Sequence, residues 1–164
     1  MPYIFKNNSC FYWVQIGFCL TTILFSLVAF KQDDLFHKLA EQAQQQLGSF
    51  HGMEPESAKI KRCEIAISDE GFLRYRKFYL NGKQEYYSFN LSRLRSIDYY
   101  GNSNIGSLVV HTVEDDVIVQ TYNDKAGNVD SMSVKLNLTI KAIEPENLDR
   151  IQQDLFELKR LIER

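Results

Sequence analysis

The chain has 164 residues, a formal net charge of −2, three cysteines and three histidines. Acidic and basic residues are interspersed, so the sequence lacks the basic face of a nucleic-acid-binding protein, and we exclude nucleic acid as a partner. Cys63 is the only cysteine after residue 19, and the histidines lie far apart in sequence. We therefore expect no disulfide in the soluble part, no metal site and no cofactor.

An uncharged apolar run extends from Phe11 to Phe30, after a short tail of residues 1–10. As a helix it would extend roughly 30 Å, the thickness of the hydrocarbon core of a bilayer. Lys6 and Lys31 flank it, and an aromatic pair near its start suits the membrane interface. The run is too long for a signal peptide and lacks a small-x-small cleavage site. We therefore predict a transmembrane helix over residues 11–30.

The orientation of this helix depends on a nearly equal Lys/Arg balance across the run. The acidic residues that follow the run favour a cytoplasmic N-terminus. We expect a single-pass protein of the bacterial inner membrane with its domain on the outer, periplasmic side.

Residues 31–58 are predicted to form a juxtamembrane helix and a linker. Leu35, Leu39, Ala43 and Leu47 recur every four residues and form one narrow apolar stripe. We interpret this helix as a spacer between membrane and domain. The alternative is a face for a partner or for a second copy of the chain. Glycines and a proline within residues 48–58 indicate the linker.

From Lys59 onward the apolar pattern changes to the period of two that is typical of strands. Asn81-Gly82 is a strong signal for a hairpin turn. In the last strand, five alternate apolar residues are expected to point one way, toward a core: Met132, Val134, Leu136, Leu138 and Ile140. The predicted strands are 60–68, 72–80, 85–91, 94–100, 107–113, 117–122 and 131–141.

A C-terminal helix is predicted from about residue 145, where Pro145 suits the first helical position. Its apolar residues lie three and four apart and form a single seam. We expect the seam to pack on the sheet. Pairing with another chain, through this helix or the juxtamembrane one, is the alternative.

Seven strands followed by one amphipathic helix resemble the element order of the pleckstrin-homology-like (PH-like) superfold, over residues 59–164. The stretch from Phe89 to Ile97 also looks like the passage from the third to the fourth strand in that family. The resemblance implies an α+β protein. The transmembrane helix would be followed by a seven-stranded antiparallel PH-like β-sandwich or barrel, and a C-terminal amphipathic helix would cap this β-domain. The resemblance also implies a binding or scaffolding module, because this superfold hosts many unrelated functions.

Some members of that family bind phosphoinositides through a basic residue on the first strand and an Arg-x-Arg on the second. Lys61 and the run Arg74-Tyr75-Arg76 resemble this pattern. However, the turn Asp69-Glu70-Gly71 is acidic and would repel phosphate. We therefore do not expect phosphoinositide binding. We interpret the basic residues of the first two strands, including Arg74, Arg76 and Lys77, as solvated faces.

No sequence motif places a nucleophile, a general base and an orienting group at the spacing of a catalytic site, so we expect no catalysis. One loop resembles a calcium-binding loop, but Ala126 occupies a position where a ligand is needed, so we do not expect it to bind calcium. We therefore predict a membrane-anchored scaffolding module that binds a protein partner through an acidic tip and the adjoining loop. The candidate residues are Glu114, Asp115, Asp116, Asp124, Asn128 and Asp130. Alternative functions are a membrane-tethered inhibitor or immunity protein and a pilin-like envelope assembly subunit.

Overall fold

The computed structural model of the protein describes residues 34–52, 59–102, 104–141 and 143–163. Helix α1 covers residues 34–50. The elements that follow are β1 (Ile60–Ile67), β2 (Phe72–Tyr79), β3 (Gln84–Asn90), a 3-10 turn (Leu91–Arg93), β4 (Leu94–Gly101), β5 (Ile105–Thr112), β6 (Val117–Tyr122), β7 (Asp130–Ser133), β8 (Lys135–Lys141) and α2 (Pro145–Ile162).

The predicted transmembrane span, residues 11–30, lies outside the described residues. Within the described part of the chain, neither helix is both long and apolar enough to cross a membrane.

The strands form two antiparallel sheets, and their arrangement contradicts the predicted fold. The larger sheet has five strands in the order β1-β2-β3-β6-β7, and the smaller has three in the order β4-β5-β8. After β3 the chain changes sheet in pairs of strands: β4 and β5 lie in the smaller sheet, β6 and β7 return to the larger one, and β8 lies in the smaller one again. This arrangement differs from one four-stranded and one three-stranded layer. The predicted seven-stranded PH-like sandwich is therefore wrong.

The eighth strand arises because the predicted strand 131–141 bends from one sheet into the other at Val134. β7 pairs with β6 in the larger sheet, whereas β8 pairs with β5 in the smaller one. Thr112 holds the corner: its backbone N–H donates to the carbonyl of Val134 at 2.9 Å, and its hydroxyl lies between the carbonyls of Glu114 (2.8 Å) and Val134 (3.1 Å). Met132 and Val134 are consequently 60% and 46% exposed, contrary to prediction. Only Leu136 and the later apolar residues of that row enter the core.

Helix α1 packs in the core of the domain, which differs from its predicted role as a spacer. From Phe36 onward it belongs to the same compact unit as the sheets. Ala40, Ala43 and Leu47 are buried in one apolar cluster with side chains of both sheets and of α2. Apolar residues three and four positions apart lie on one face of a helix, so Ala43 and Leu47 are buried together, whereas Leu35 at the start of the stripe is 50% exposed.

Helix α2 begins at Pro145 as the sequence predicts, and its seam is buried against the 3-10 turn and β4. Asp154 on this helix is 9% exposed and accepts hydrogen bonds from the amides of Gln42 (3.0 Å) and Gln46 (3.2 Å) on α1. A buried carboxylate needs such donors, so this contact fixes the two helices against each other.

Three of the four edge strands accept or donate hydrogen bonds beyond their own sheet. Lys159 and Gln152 of α2 donate to carbonyls of β4, at 2.7 and 3.4 Å. The free edge of β8 is paired at His51, and the N–H of Gly52 donates to Thr139 at 2.7 Å. Gln44 of α1 accepts from the last residue of β1 at 3.1 Å. Such contacts hinder the pairing of a further strand at these positions. β7, at the other edge of the larger sheet, is mostly exposed.

Candidate functional site

The predicted acidic tip forms the turn between β5 and β6. Arg93 donates to Asp116 at 2.9 Å and to Glu114 at 3.4 Å. The hydrogen bond from Arg93 holds the pKa of Asp116 below its ordinary value, and the hydrogen bond with Asp116 raises the pKa of Arg93. Asp115 is exposed. The tip thus carries less net negative charge than its three acidic residues suggest.

The second predicted group lies in the loop between β6 and β7, and its polar groups bond mainly within that loop. Asp124 accepts from the N–H of Ala126 at 3.0 Å, and Asn128 accepts from the N–H of Asp124 at 3.1 Å. Lys83 forms an ion pair with Asp124 at 2.9 Å. The backbone hydrogen bond from Ala126 and the Lys83 bond hold the pKa of Asp124 below its ordinary value. The polar residues of this loop therefore stabilise the loop itself.

The structure does not bring the two predicted groups together. The tip precedes β6 and the loop follows it, so the length of the strand separates them. At about 3.3 Å per residue, the distance along the strand is roughly 20 Å. Asp130, the first residue of β7, accepts from Gln120 at 3.3 Å and belongs to the outer face of the sheet. The six predicted residues therefore form two separate patches.

The larger sheet presents a different surface on its outer face. Strand register places six basic and aromatic side chains together there, and we call this set the arginine–aromatic face: Arg62, Arg74, Arg76, Phe78, Tyr86 and Tyr122. Alternate residues of β2 project outward, so its two arginines and Phe78 share one side. Tyr86 lies opposite Arg76 on β3, and Tyr122 lies opposite Gln84 on β6.

Arginine and aromatic side chains stack on this face. The guanidinium of Arg62 lies 3.9 Å from the ring centroid of Phe78. Arg76 lies 5.7 Å from Phe78 and 5.3 Å from Tyr86. These distances are within the range of cation–π interactions. A shallow cavity of about 370 Å³ opens between Arg76, Tyr86 and Tyr122.

The charge of this face is only partly balanced. Glu64 pairs with Arg62. Among the described residues, no carboxylate forms an ion pair with Arg74 or Arg76, and both are exposed. The exposed guanidinium groups of Arg74 and Arg76 therefore lie on the same face as the half-buried rings of Phe78 and Tyr86.

Lys77 was predicted, like Arg76, to be a solvated residue of its strand, and it is not. Its side chain projects to the inner side of the sheet and is only 7% exposed. The ammonium lies 5.6 Å from the ring of Tyr75 and 6.0 Å from that of Tyr87. Neighbouring residues of a strand point to opposite faces, so Arg76 and Lys77 could not both be on one side.

Tyr75 also links a histidine and the cysteine inside the domain. Its hydroxyl lies 2.8 Å from His51 and 3.8 Å from the sulfur of Cys63. Because Tyr75 is only 2% exposed, this contact offers no opening for a substrate and we interpret it as structural. No group of three or more His, Cys, Asp or Glu residues in the described ranges is arranged to hold a metal ion.

The sequence did contain a signal for the arginine–aromatic face. In β2, Phe72 to Tyr79, aromatic residues occur in both phases of the alternation. One phase must then leave aromatic side chains on the outside unless a second layer covers it. Comparison with known proteins adds no relative: neither a protein-family model, nor a curated protein, nor a solved structure matches this chain.

Proposed function

We propose that this is a non-catalytic, single-pass membrane protein whose β-domain binds a protein partner through the arginine–aromatic face. The uncharged run of residues 11–30 supports the membrane anchor, as its length and flanking lysines suit a bilayer. The acidic residues that follow the run support a domain on the periplasmic side.

The observation that carries the proposal is the stacking of Arg76 between two aromatic rings on an open sheet face, with Arg74 beside it. Arginine and aromatic residues are enriched at protein interfaces and among the residues that dominate binding energy. Aromatic rings lose little conformational entropy on binding, and the stacked guanidinium is already oriented.

The chemistry of the face favours an acidic partner. A guanidinium binds a carboxylate with two parallel hydrogen bonds, and two such groups lie on alternate residues of one strand. Aromatic rings beside them suit an acidic segment that also carries apolar side chains. The acidic tip at Glu114–Asp116 is a less favourable site, because Arg93 already binds two of its carboxylates.

Charge reversal tests the proposal. The double substitution Arg74→Glu and Arg76→Glu should reduce recovery of the partner by at least about tenfold in quantitative affinity capture from native membranes, since two charge-assisted contacts are lost. The matched control is Arg95→Glu with Arg150→Glu, which changes the net charge equally at two exposed sites away from this face. Unchanged recovery with a folded double variant would rule out this face as the binding surface.

A further inference from the structure

Helix α2 has a second row of residues on the side that faces away from the core. Positions three or four apart are neighbours on a helix surface, and this row consists of Asp149, Gln153, Phe156 and Arg160. All four residues are exposed, whereas the apolar seam of the same helix is buried. We call this row the α2 stripe.

Phe156 provides the apolar centre of the α2 stripe, and it is 36% exposed. A cavity of about 560 Å³ lies beside it, lined by residues of α2 and by Leu39 of α1. Leu39 is partly buried against the core and gives this cavity an apolar wall. An aromatic residue that fills a pocket in the other molecule is a typical anchor of a protein interface. Phe156 of one molecule is therefore suited to enter this cavity in another.

The two ends of the α2 stripe carry opposite charges. Asp149 forms no ion pair with any residue that the structure describes. Arg160 pairs with Glu157 of the same helix, but exposed ion pairs of this kind contribute little to stability. Because a guanidinium has five N–H donors, Arg160 can bind a second carboxylate without losing Glu157.

The order of these residues fits an antiparallel pairing of two α2 helices. The midpoint between Asp149 and Arg160 lies between residues 154 and 155, and so does the midpoint between Gln153 and Phe156. A two-fold axis at this midpoint would place each Asp149 against Arg160 of the second copy. It would also place each Phe156 against Gln153 and the adjoining cavity. An interface of this symmetry is self-complementary, and each contact occurs twice.

We propose that the protein forms a homodimer in which the α2 stripes of two copies pair in antiparallel orientation. The charges favour a second copy over a partner of one sign. The stripe has one acidic and one basic end, so a uniformly acidic or basic segment would meet like charge at one of them. A second copy in antiparallel orientation meets opposite charge at both ends.

Sedimentation equilibrium of the full-length chain in a zwitterionic detergent, over a range of protein concentrations, tests this inference. We expect a reversible equilibrium between monomer and dimer. Asp149→Arg and Arg160→Asp should each raise the dissociation constant of the dimer at least about tenfold, because each places like charges face to face twice. The double variant exchanges the two charges and restores both pairs. Its dissociation constant should return to within about threefold of the wild-type value.

Matched controls separate the α2 stripe from general effects of charge and apolar surface. Asp115→Arg and Lys141→Asp make the same charge changes at exposed residues of other elements and should leave the dissociation constant unchanged. Phe156→Ala should raise it at least about tenfold, since a two-fold interface loses its anchor twice. Tyr100→Ala truncates an aromatic residue that is 63% exposed on β4 and should have no effect.

Three results would overturn the inference. The first is a monomer at every concentration. The second is a dimer whose dissociation constant is the same in wild type, Asp149→Arg and Phe156→Ala, because that dimer would use another surface. The third is a double charge variant that dissociates as readily as the single variants, which would exclude the antiparallel pairing and favour a different protein as the occupant of the α2 stripe.

This inference does not depend on the proposed binding of a protein partner. The α2 stripe shares no residue with the arginine–aromatic face. Reversal of Arg74 and Arg76 to glutamate should therefore leave the dissociation constant of the dimer unchanged. A wild-type chain that stays monomeric would overturn the homodimer alone, and unchanged partner recovery after the reversal would overturn the proposed binding face alone.

Discussion

Leu47 on helix α1 offers a direct test of whether this helix belongs to the domain. Its side chain is fully buried in the cluster that joins both sheets and α2. If α1 were a spacer outside the fold, Leu47→Ala would remove only exposed surface. Because it lies in the core, the substitution must leave a cavity.

The expected magnitude follows from the burial. Leucine to alanine removes roughly three methylene equivalents, worth about 0.8 kcal/mol each in lost transfer free energy. The sheets and α2 limit collapse around the site, so a cavity term adds to this loss. We expect the free energy of unfolding to fall by about 3 kcal/mol. For a domain of this size, the melting temperature should fall by about 10 °C.

Thermal unfolding of the full-length chain, followed by circular dichroism, measures the effect. Tryptophan fluorescence is unsuitable, because Trp13 is the single tryptophan and lies in the apolar N-terminal run. The matched control is Leu80→Ala, which truncates a side chain that is 68% exposed and should change stability by no more than about 0.5 kcal/mol. Equal melting temperatures for Leu47→Ala and Leu80→Ala would refute the placement of α1 in the core.

Three further substitutions test other contacts by the same unfolding measurement. Asp154→Ala should cost about 1–3 kcal/mol, because two amide donors of α1 lose their acceptor; no loss would mean that water replaces the carboxylate. Gly71→Ala should cost more than Gly82→Ala: both have positive φ (78° and 86°), but only at Gly71 would a Cβ contact α2. The pKa of Asp116 is lowered from 3.8 chiefly by Arg93, so the stabilisation is fully present above that value and lost as pH falls through the lowered pKa. Asp116→Asn should therefore lower the melting temperature near neutral pH and have no effect in strong acid; a difference independent of pH would contradict this.

The local features of the fold could be predicted because short segments determine them. Six strands lie within two residues of their predicted bounds, and Pro145 correctly marks the start of α2. The Asn81-Gly82 turn also forms where expected, with Gly82 at a φ of 86°. Turn chemistry and period-two patterns act over a few residues, so the sequence displays them directly.

The sheet order could not be predicted in the same way, because strand pairing joins residues distant in sequence. The bend at Val134 is an example. Side chains alternate without interruption from Ser131 to Ile140, so the pattern reads as one strand. The outward side of the larger sheet becomes the inward side of the smaller one, which leaves Met132 exposed and Leu136 buried. The alternation of apolar and polar residues along a strand indicates which side chains share a side. Whether that side faces the core or the solvent depends on the tertiary fold.

The candidate surface was missed for a related reason. Acidic residues in turns are conspicuous in a sequence, yet Arg93, which binds Glu114 and Asp116, lies more than twenty positions earlier, in the 3-10 turn between β3 and β4. Conversely, Arg76 and Tyr86 are ten positions apart in sequence and become neighbours only through the pairing of β2 with β3. A period-two reading of β2 alone would have separated Arg76 from Lys77.

Site-specific photo-crosslinking in native membranes tests the central claim most directly. A benzophenone amino acid at Tyr86 would place the reactive group on the arginine–aromatic face, and one at Tyr100, which is 63% exposed on β4, is the control. We predict one protein adduct at Tyr86 that disappears when Arg74 and Arg76 are reversed to glutamate, and no such adduct at Tyr100. An adduct that persists after the reversal, or that forms equally at both positions, would contradict binding through this face.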